Sequence, residues 1–273
     1  MDYNKLCMLS LQITQNRGDN MKKYLRFLLD GKVKEAISPD GKNVYALEGN
    51  IFGDHKMGEL LCQVDDIQSW LPPTSPTKVV AVGLNYRDHA EETGYPIPKE
   101  PLLFLKPSTC VIGHKQTVVL PEMSKRVDYE AELAIVISKT TKAIEPKEAM
   151  DHILGYSCFN DVTARDLQSS DGQWTRSKSF DTFGPYGPWV EMEIDPSNLD
   201  IQMIKNGNVV QSSNTRHFIF SVPELVSYIS QVMTLLPGDV IITGTPSGIG
   251  PVERGDVMEV YVEGIGRLIN FVS

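Results

Sequence analysis

The chain has 273 residues, 41% hydrophobic and 22% charged, with a formal net charge of -9. That length allows a sizeable core, and the acidic balance, with no Lys/Arg cluster longer than a pair, excludes an electrostatic footprint for nucleic acid or an anionic membrane. No apolar stretch approaches the roughly 20 residues of a membrane-spanning helix. Cys7, Cys62, Cys110 and Cys158 are far apart and form no C-x-x-C pair, which fits a reducing cytosol and leads us to expect a cytoplasmic protein.

In chain order, residues 1–20 lack a signal-peptide cleavage region, and MKKYLRFLLDG from Met21 reads as a natural start, so the first twenty residues are expected to be a disordered extension. From Met21 to Trp70, short apolar runs are broken by Asp30-Gly31 and by Pro39-Asp40-Gly41. These are hairpin signals, and they predict a small β-rich N-terminal domain over 21–70. LPPTSPTK, residues 71–78, reads as a linker because three prolines in five residues forbid regular pairing. The larger domain is expected over 79–273.

Within it, KVVAVGLNY and RVDYEAELAIVIS predict strands, and EPKEAMDHIL predicts a helix with Pro146 in its first turn and Gly155 past its end. SVPELVSYISQVMTLL predicts a second helix, with a Ser221/Glu224 capping box and Leu225, Val226, Ile229, Val232, Met233 and Leu236 on one face. Two Gly-Asp-Val turns then lead into β-branched runs.

Glu130 and Glu132 stand at the head of the apolar run VDYEAELAIVI. On a strand they share a face, their Cα atoms about 6.7 Å apart, and the face continues through Ala134 and Val136. Ala131, Leu133, Ile135 and Ile137 occupy the other side, so the strand is apolar on both faces and central in its sheet. Two buried like charges repel unless a cation intervenes. Alone, an E-x-E pair is more often a solvated strand end. Asp161, delivered by the apolar segment YSCFN, adds a third carboxylate. Three acids without a Cys or His cluster favour a hard cation, Mg²⁺ or Mn²⁺.

E-x-E, then N-D-V-T-A-R-D, then K-S-F-D-T-F-G-P, then T-G-T-P-S-G-I-G occur in this order, and together they resemble the fumarylacetoacetate hydrolase superfamily over essentially all of Val79 to Ser273. The resemblance implies a mixed α+β, mostly β fold in which strands roll into a distorted barrel, and a homodimer. It implies metal ligation by Glu130, Glu132 and Asp161. It also implies that His89 and Glu92, three apart on a lid, activate water, and that Lys178 of the K-S-F motif reaches inward as a cation near the substrate oxygen. Gln168 and Thr245 are implied as substrate contacts. Lys106 and Arg87 are candidate cations for a second carboxylate. His55, His114, His152 and His217 have no metal spacing and are expected to be structural.

A 2-oxo acid chelates a divalent cation through its carboxylate and carbonyl, and the resulting enolate serves three outcomes: carbon-carbon bond hydrolysis, decarboxylation, or tautomerisation and double-bond isomerisation. The expected substrate is a small 2-oxo or 2-hydroxy-enoic dicarboxylate of the hydroxyhepta-dienedioate, oxaloacetate or acylpyruvate kind. The short N-terminal domain leans the expectation towards isomerase, tautomerase or decarboxylase chemistry. A metal-stabilised binding protein without turnover is the alternative, and a positioned base and lysine separate the two.

Overall fold

The structure, a computed structural model, describes residues 22–94 and 96–273. The expected extension over 1–20 and the start at Met21 lie outside the described residues. The N-terminal part is a meander of β1 (Lys23–Leu29), β2 (Lys32–Ser38), β3 (Asn43–Gly49) and β4 (His55–Gln63), with the short β5 (Ser69–Leu71) laid against β1. Asp30 and Gly31 both take positive φ, 52° and 70°, the two-residue turn that matches the twist of paired strands and that Asp-Gly favours.

The remainder contributes β6 (Lys78–Gly83), β7 (Leu102–Pro107), β8 (Val111–Ile112), β9 (Thr117–Val118), β10 (Val127–Tyr129), β11 (Ala131–Ile137), β12 (Ile153–Asn160), β13 (Thr163–Ala164) and β14 (Gly184–Glu191). These are followed by β15 (Asp200–Lys205), β16 (Asn208–Asn214), β17 (Val240–Ile242), β18 (Gly250–Pro251), β19 (Val257–Val262) and β20 (Gly266–Val272). Among the described residues four short α-helices accompany them: α1 (Arg87–Thr93), α2 (Arg165–Asp171), α3 (Thr175–Lys178) and α4 (Val222–Val232). The chain builds the mostly β architecture expected from its sequence. Among the described residues, no helix is long and apolar enough to cross a membrane.

A twelve-stranded sheet runs β4-β3-β2-β1-β14-β12-β11-β17-β6-β7, with β5 on β1 and β8 on β14. The sheet crosses the 71–78 segment without a break in pairing, because β1 joins β14 through Lys23↔Glu191 and Tyr24↔Val190. That segment is irregular between β5 and β6 and is pinned: the Thr77 amide and hydroxyl donate to Asp239 at 2.9 and 2.7 Å, and the Thr74 hydroxyl donates to Gly238 O at 2.8 Å. A five-stranded sheet, β16-β15-β19-β20-β9, covers one face. Alternation along β11 connects the layers. Leu133, Ile135 and Ile137 join the core that includes Ile201, Met203 and Val260, while Ala134 and Val136 join the core on the other face with Val79, Ala81 and Ile242. Each fully buried Leu or Ile there contributes about 1.5–3 kcal/mol, which leaves the register of β11 little freedom to slip.

Two sequence expectations are corrected. The helix expected up to Gly155 is a 3-10 segment, Pro146–His152, and Gly155 lies inside β12. A Cβ at Gly155 would fall 2.3 Å from Glu191 O, so glycine is needed there because β14 approaches closely, and it does not mark a helix end. Helix α4 has the expected capping box, the Ser221 amide donating to Glu224 Oε2 at 2.7 Å, and buries Leu225, Val226 and Ile229. Val232 and Leu236, expected on the same face, are exposed. Met233 turns extended at φ -149°, ψ 150°, and the helical period stops there.

His114, before β9, meets Trp70 of β5 edge-on at 5.0 Å, and its Nδ1 accepts the Ile269 amide of β20 at 3.0 Å. Burial, and after it Lys115, pushes its pKa from the ordinary 6.5 down to about 4. The unfolded chain takes up that proton near pH 6.5, so the stabilisation is complete above 6.5 and is lost as pH falls towards 4. The loss amounts to about 2 kcal/mol between pH 7 and 5. His114→Asn, which keeps an acceptor, should flatten the pH dependence of the urea unfolding free energy over that window, and an unchanged slope would remove His114 from the acid response.

Candidate active site

The pairing of β11 with β12 places Ala131 opposite Asn160 and so brings Glu130 to Asp161. The Asp161 amide donates to Glu130 O at 2.9 Å, and the Glu130 amide donates to Asn160 Oδ1 at 2.9 Å. The three carboxylates expected to gather do so. Ligand atoms of Glu130, Glu132 and Asp161 lie within 4.8 Å of one another, and all three residues are buried.

Two of the acids have cations. Glu130 binds Arg165 through Oε1 and Lys178 Nζ through Oε2 at 2.8 Å. Lys178 Nζ also reaches Asp161 Oδ2 at 2.5 Å, and the fully buried Lys106 Nζ stands 2.6 Å from Asp161 Oδ1. Burial alone would raise the Glu130 pKa, but Lys178 and Arg165 override it and hold this carboxyl well below the usual range. Burial works against the charge of Lys178 too, and Asp161 and Glu130 outweigh it, raising that ammonium's pKa.

Glu132 differs. Its Oε2 accepts the Gly244 amide at 2.6 Å, and among the described residues no cation lies within ion-pair distance of it. Burial, then Asp161 and Glu130, push its pKa well above the carboxylate range. A buried acid that lacks its own cation, beside two that have theirs, in an all-oxygen donor set without sulfur or imidazole, fits a hard divalent metal ion.

These acids line a cavity of about 270 Å³ together with His89, Arg165, Gln168, Lys178 and Thr245. His89 comes from α1, where its Nδ1 lies 2.9 Å from Glu92 Oε2. Glu92 Oε1 accepts the Gly248 amide at 2.9 Å, and Asp88 Oδ2 accepts from the Ser213 and Ser247 hydroxyls at 3.1 and 3.3 Å. The helix is thus tied to the loop between β17 and β18. In that loop the amides serve protein acids, Gly244 at Glu132 and Gly248 at Glu92, and Thr245, implied as a substrate contact, lines the cavity with its hydroxyl donating to Ala131 O at 3.0 Å.

Gln168 faces the cavity with its Oε1 accepting from Arg165 Nη1 at 2.6 Å. The two candidate cations for a second carboxylate are not among the residues that line the cavity. Lys106 binds Asp161 and the main-chain oxygens of Lys178 and Val162, and Arg87 is exposed. Arg165 had no assigned role in the sequence reading, though it stands in N-D-V-T-A-R-D four residues after Asp161. Its guanidinium joins Asp128, Glu130 and Gln168. Gln211 was also missed. Its Oε1 accepts the Ala131 amide at 2.9 Å and its Nε2 donates to Thr245 Oγ1 at 3.0 Å, fixing the strand end that carries the acids.

This arrangement has relatives. A protein of Archaeoglobus fulgidus is 60% identical over 201 residues, which are 74% of this chain and 80% of that one. A mitochondrial oxaloacetate tautomerase of Bos taurus is 44% identical over 213 residues, 74% of this chain and 68% of its own. The solved 2-hydroxyhepta-2,4-diene-1,7-dioate isomerase of Mycobacterium marinum superposes with a TM-score of 0.84 at 40% identity, covering 92% of this chain and 98% of its own. Residues 78–273, the part that carries every acid and cation described above, match the fumarylacetoacetate (FAA) hydrolase C-terminal family, and the chain belongs to the fumarylacetoacetate hydrolase superfamily.

Proposed function

We propose that this protein is a divalent-cation-dependent enzyme that interconverts enol and keto, or double-bond, isomers of a small 2-oxo acid. The observation that carries this reading is the placing of a buried three-carboxylate set and an oriented His89–Glu92 pair on one cavity. Glu130, Glu132 and Asp161 would hold Mg²⁺ or Mn²⁺, which supplies Lewis-acid stabilisation for negative charge developing on the 2-oxo oxygen. The names of the tautomerase and isomerase relatives support proton transfer as the reaction, ahead of hydrolysis or decarboxylation.

Glu92 orients the imidazole through Nδ1 and stabilises it when protonated. In tautomerisation the enol oxygen loses a proton and the other carbon of the enol double bond, next to the new carbonyl, gains one, and His89 carries out the transfer at that carbon. Lys178 Nζ, held at the acids, adds fixed positive charge beside that oxygen. The Gly244 amide holds Glu132 in place.

A panel of 2-oxo acids assayed with Mg²⁺, Mn²⁺ or EDTA, with product identification, tests this reading. Metal-dependent enol-keto exchange is expected, and failure to convert any member with either ion would overturn it. His89→Ala should lower turnover by about 10²–10⁴-fold while calorimetric Mn²⁺ affinity stays within a few-fold of wild type. Full activity in that variant would show that another group moves the proton.

A further inference from the structure

Lys178 ends α3, a helix of only four residues, yet its ammonium has to keep one place between two acids. A long, flexible side chain on so short a helix must be held from outside it. That hold comes from alternate residues of edge strand β7. Phe104 and Lys106 share a face by the period of two, and the face turns towards the acids: Phe104 lines the cavity, and Lys106 Nζ reaches Asp161 Oδ1. Lys106 Nζ also donates to Lys178 O at 2.5 Å. Phe104 meets the other end of the same residue, its ring centroid 5.0 Å from Lys178 Nζ with the ammonium over the ring face.

The ring is itself held. Trp174 meets it edge to face with centroids 5.1 Å apart, and Trp174 O accepts the Lys178 amide at 3.0 Å, so ring, indole and lysine form a closed set of contacts. Gly83 gives the indole its seat, since a Cβ there would stand 3.0 Å from Trp174 Cζ3. An ammonium carries three N–H donors. Glu130 Oε2 and Asp161 Oδ2 accept from Lys178 at 2.8 and 2.5 Å, and among the described residues no other acceptor stands within hydrogen-bond distance of Nζ. The negative face of the Phe104 ring adds a third attraction, strengthened because the buried ammonium is shielded from water.

Glu130 and Asp161 have a second task in the proposed function, since they would also ligate a divalent ion, and a carboxylate shared with an ion attracts an ammonium less strongly. The ring has no second task. We infer that Phe104 is a positioning residue for the reaction, its ring face fixing the Lys178 ammonium beside the substrate oxygen while the two acids are shared with the ion. The inference rests on the proposed role of Lys178 in turnover, whereas the hold of ring on ammonium can be tested without it.

Replacing Phe104 by mono-, di- and trifluorophenylalanine keeps the shape of the ring and drains negative charge from its face, while Phe104→Leu removes the face. Each protein is checked for folding by thermal unfolding. With Mg²⁺ and the 2-oxo acid that wild type converts best, kcat should fall stepwise along the fluorine series and by about 5–30-fold in Phe104→Leu, with KM within about threefold of wild type. Phe104→Tyr, which keeps the negative face, should restore most of kcat. Without metal, a urea-unfolding cycle of Phe104→Leu with Lys178→Met should show a coupling of about 5–30-fold in the folded-to-unfolded ratio. A kcat that does not change along the fluorine series overturns the inference and leaves the proposed reaction standing. A cycle without coupling also overturns it, because Phe104 would then only fill space. If wild type converts no 2-oxo acid, the proposed reaction falls together with the part of Phe104 in it, and the cycle alone decides whether the ring holds the ammonium.

Discussion

Glu132→Gln is expected to lose divalent-cation binding while the metal-free protein becomes as stable as wild type or more so. Glutamine keeps the shape and an oxygen for the Gly244 amide, and it removes the one acid of the three that has no cation beside it among the described residues. Relief of its repulsion with Asp161 and Glu130 should raise metal-free stability by about 1–3 kcal/mol. Affinity for Mg²⁺ or Mn²⁺ should fall at least about a hundredfold, since even residues that only support a ligand are worth 10–100-fold. Glu130→Gln should behave in the opposite sense on stability. It strips a charge from both Lys178 and Arg165 in a buried site, a loss of about 3–5 kcal/mol. Urea unfolding after chelation, with calorimetric titration of Mn²⁺, separates the two variants. Wild-type Mn²⁺ affinity in Glu132→Gln would remove this residue from the ligand set.

The second large effect is expected at Lys178. Lys178→Met preserves most of the side chain's volume but leaves Glu130 and Asp161 facing each other with only Arg165 and Lys106 as partners. Metal-free stability should drop by about 3 kcal/mol, near the lower end for breaking a buried charge pair, because each acid keeps one cation. A bound divalent ion should recover much of that loss, so the melting temperature of the variant should respond more steeply to Mg²⁺ than that of wild type. Turnover should stay about 10²–10³-fold low at saturating Mg²⁺, because the fixed charge beside the substrate oxygen is gone. Restoration of wild-type turnover by metal alone would limit Lys178 to a structural role.

Local chemistry made much of this legible. The period of two along β11 is strict, so the sequence already assigned Glu130 and Glu132 to one face and Leu133, Ile135 and Ile137 to the other. Asp-Gly at 30–31 encoded its turn through the positive φ that both residues accept. The misreadings occur where a residue's role depends on a distant partner. Gly155 resembles a helix stop until Glu191 O is seen 2.3 Å from where its Cβ would be. Val232 and Leu236 continue an apolar period that the backbone abandons at Met233.

The candidate site divides in the same way. Residue type and spacing along the chain determined which acids could gather, because charge, burial and strand alternation act over a few residues. Cation pairing was decided only by tertiary structure. Lys106 and Lys178 are 55 and 17 residues from Asp161 and Arg165 is 35 residues from Glu130, and nothing local orients a long flexible side chain. The fold turned Lys106 towards Asp161 and away from substrate, directed the Gly244 and Gly248 amides at protein carboxylates, and set Trp174 and Phe104 against the cavity wall. Those contacts join segments far apart in the chain, and only packing of the whole sheet brings them within reach.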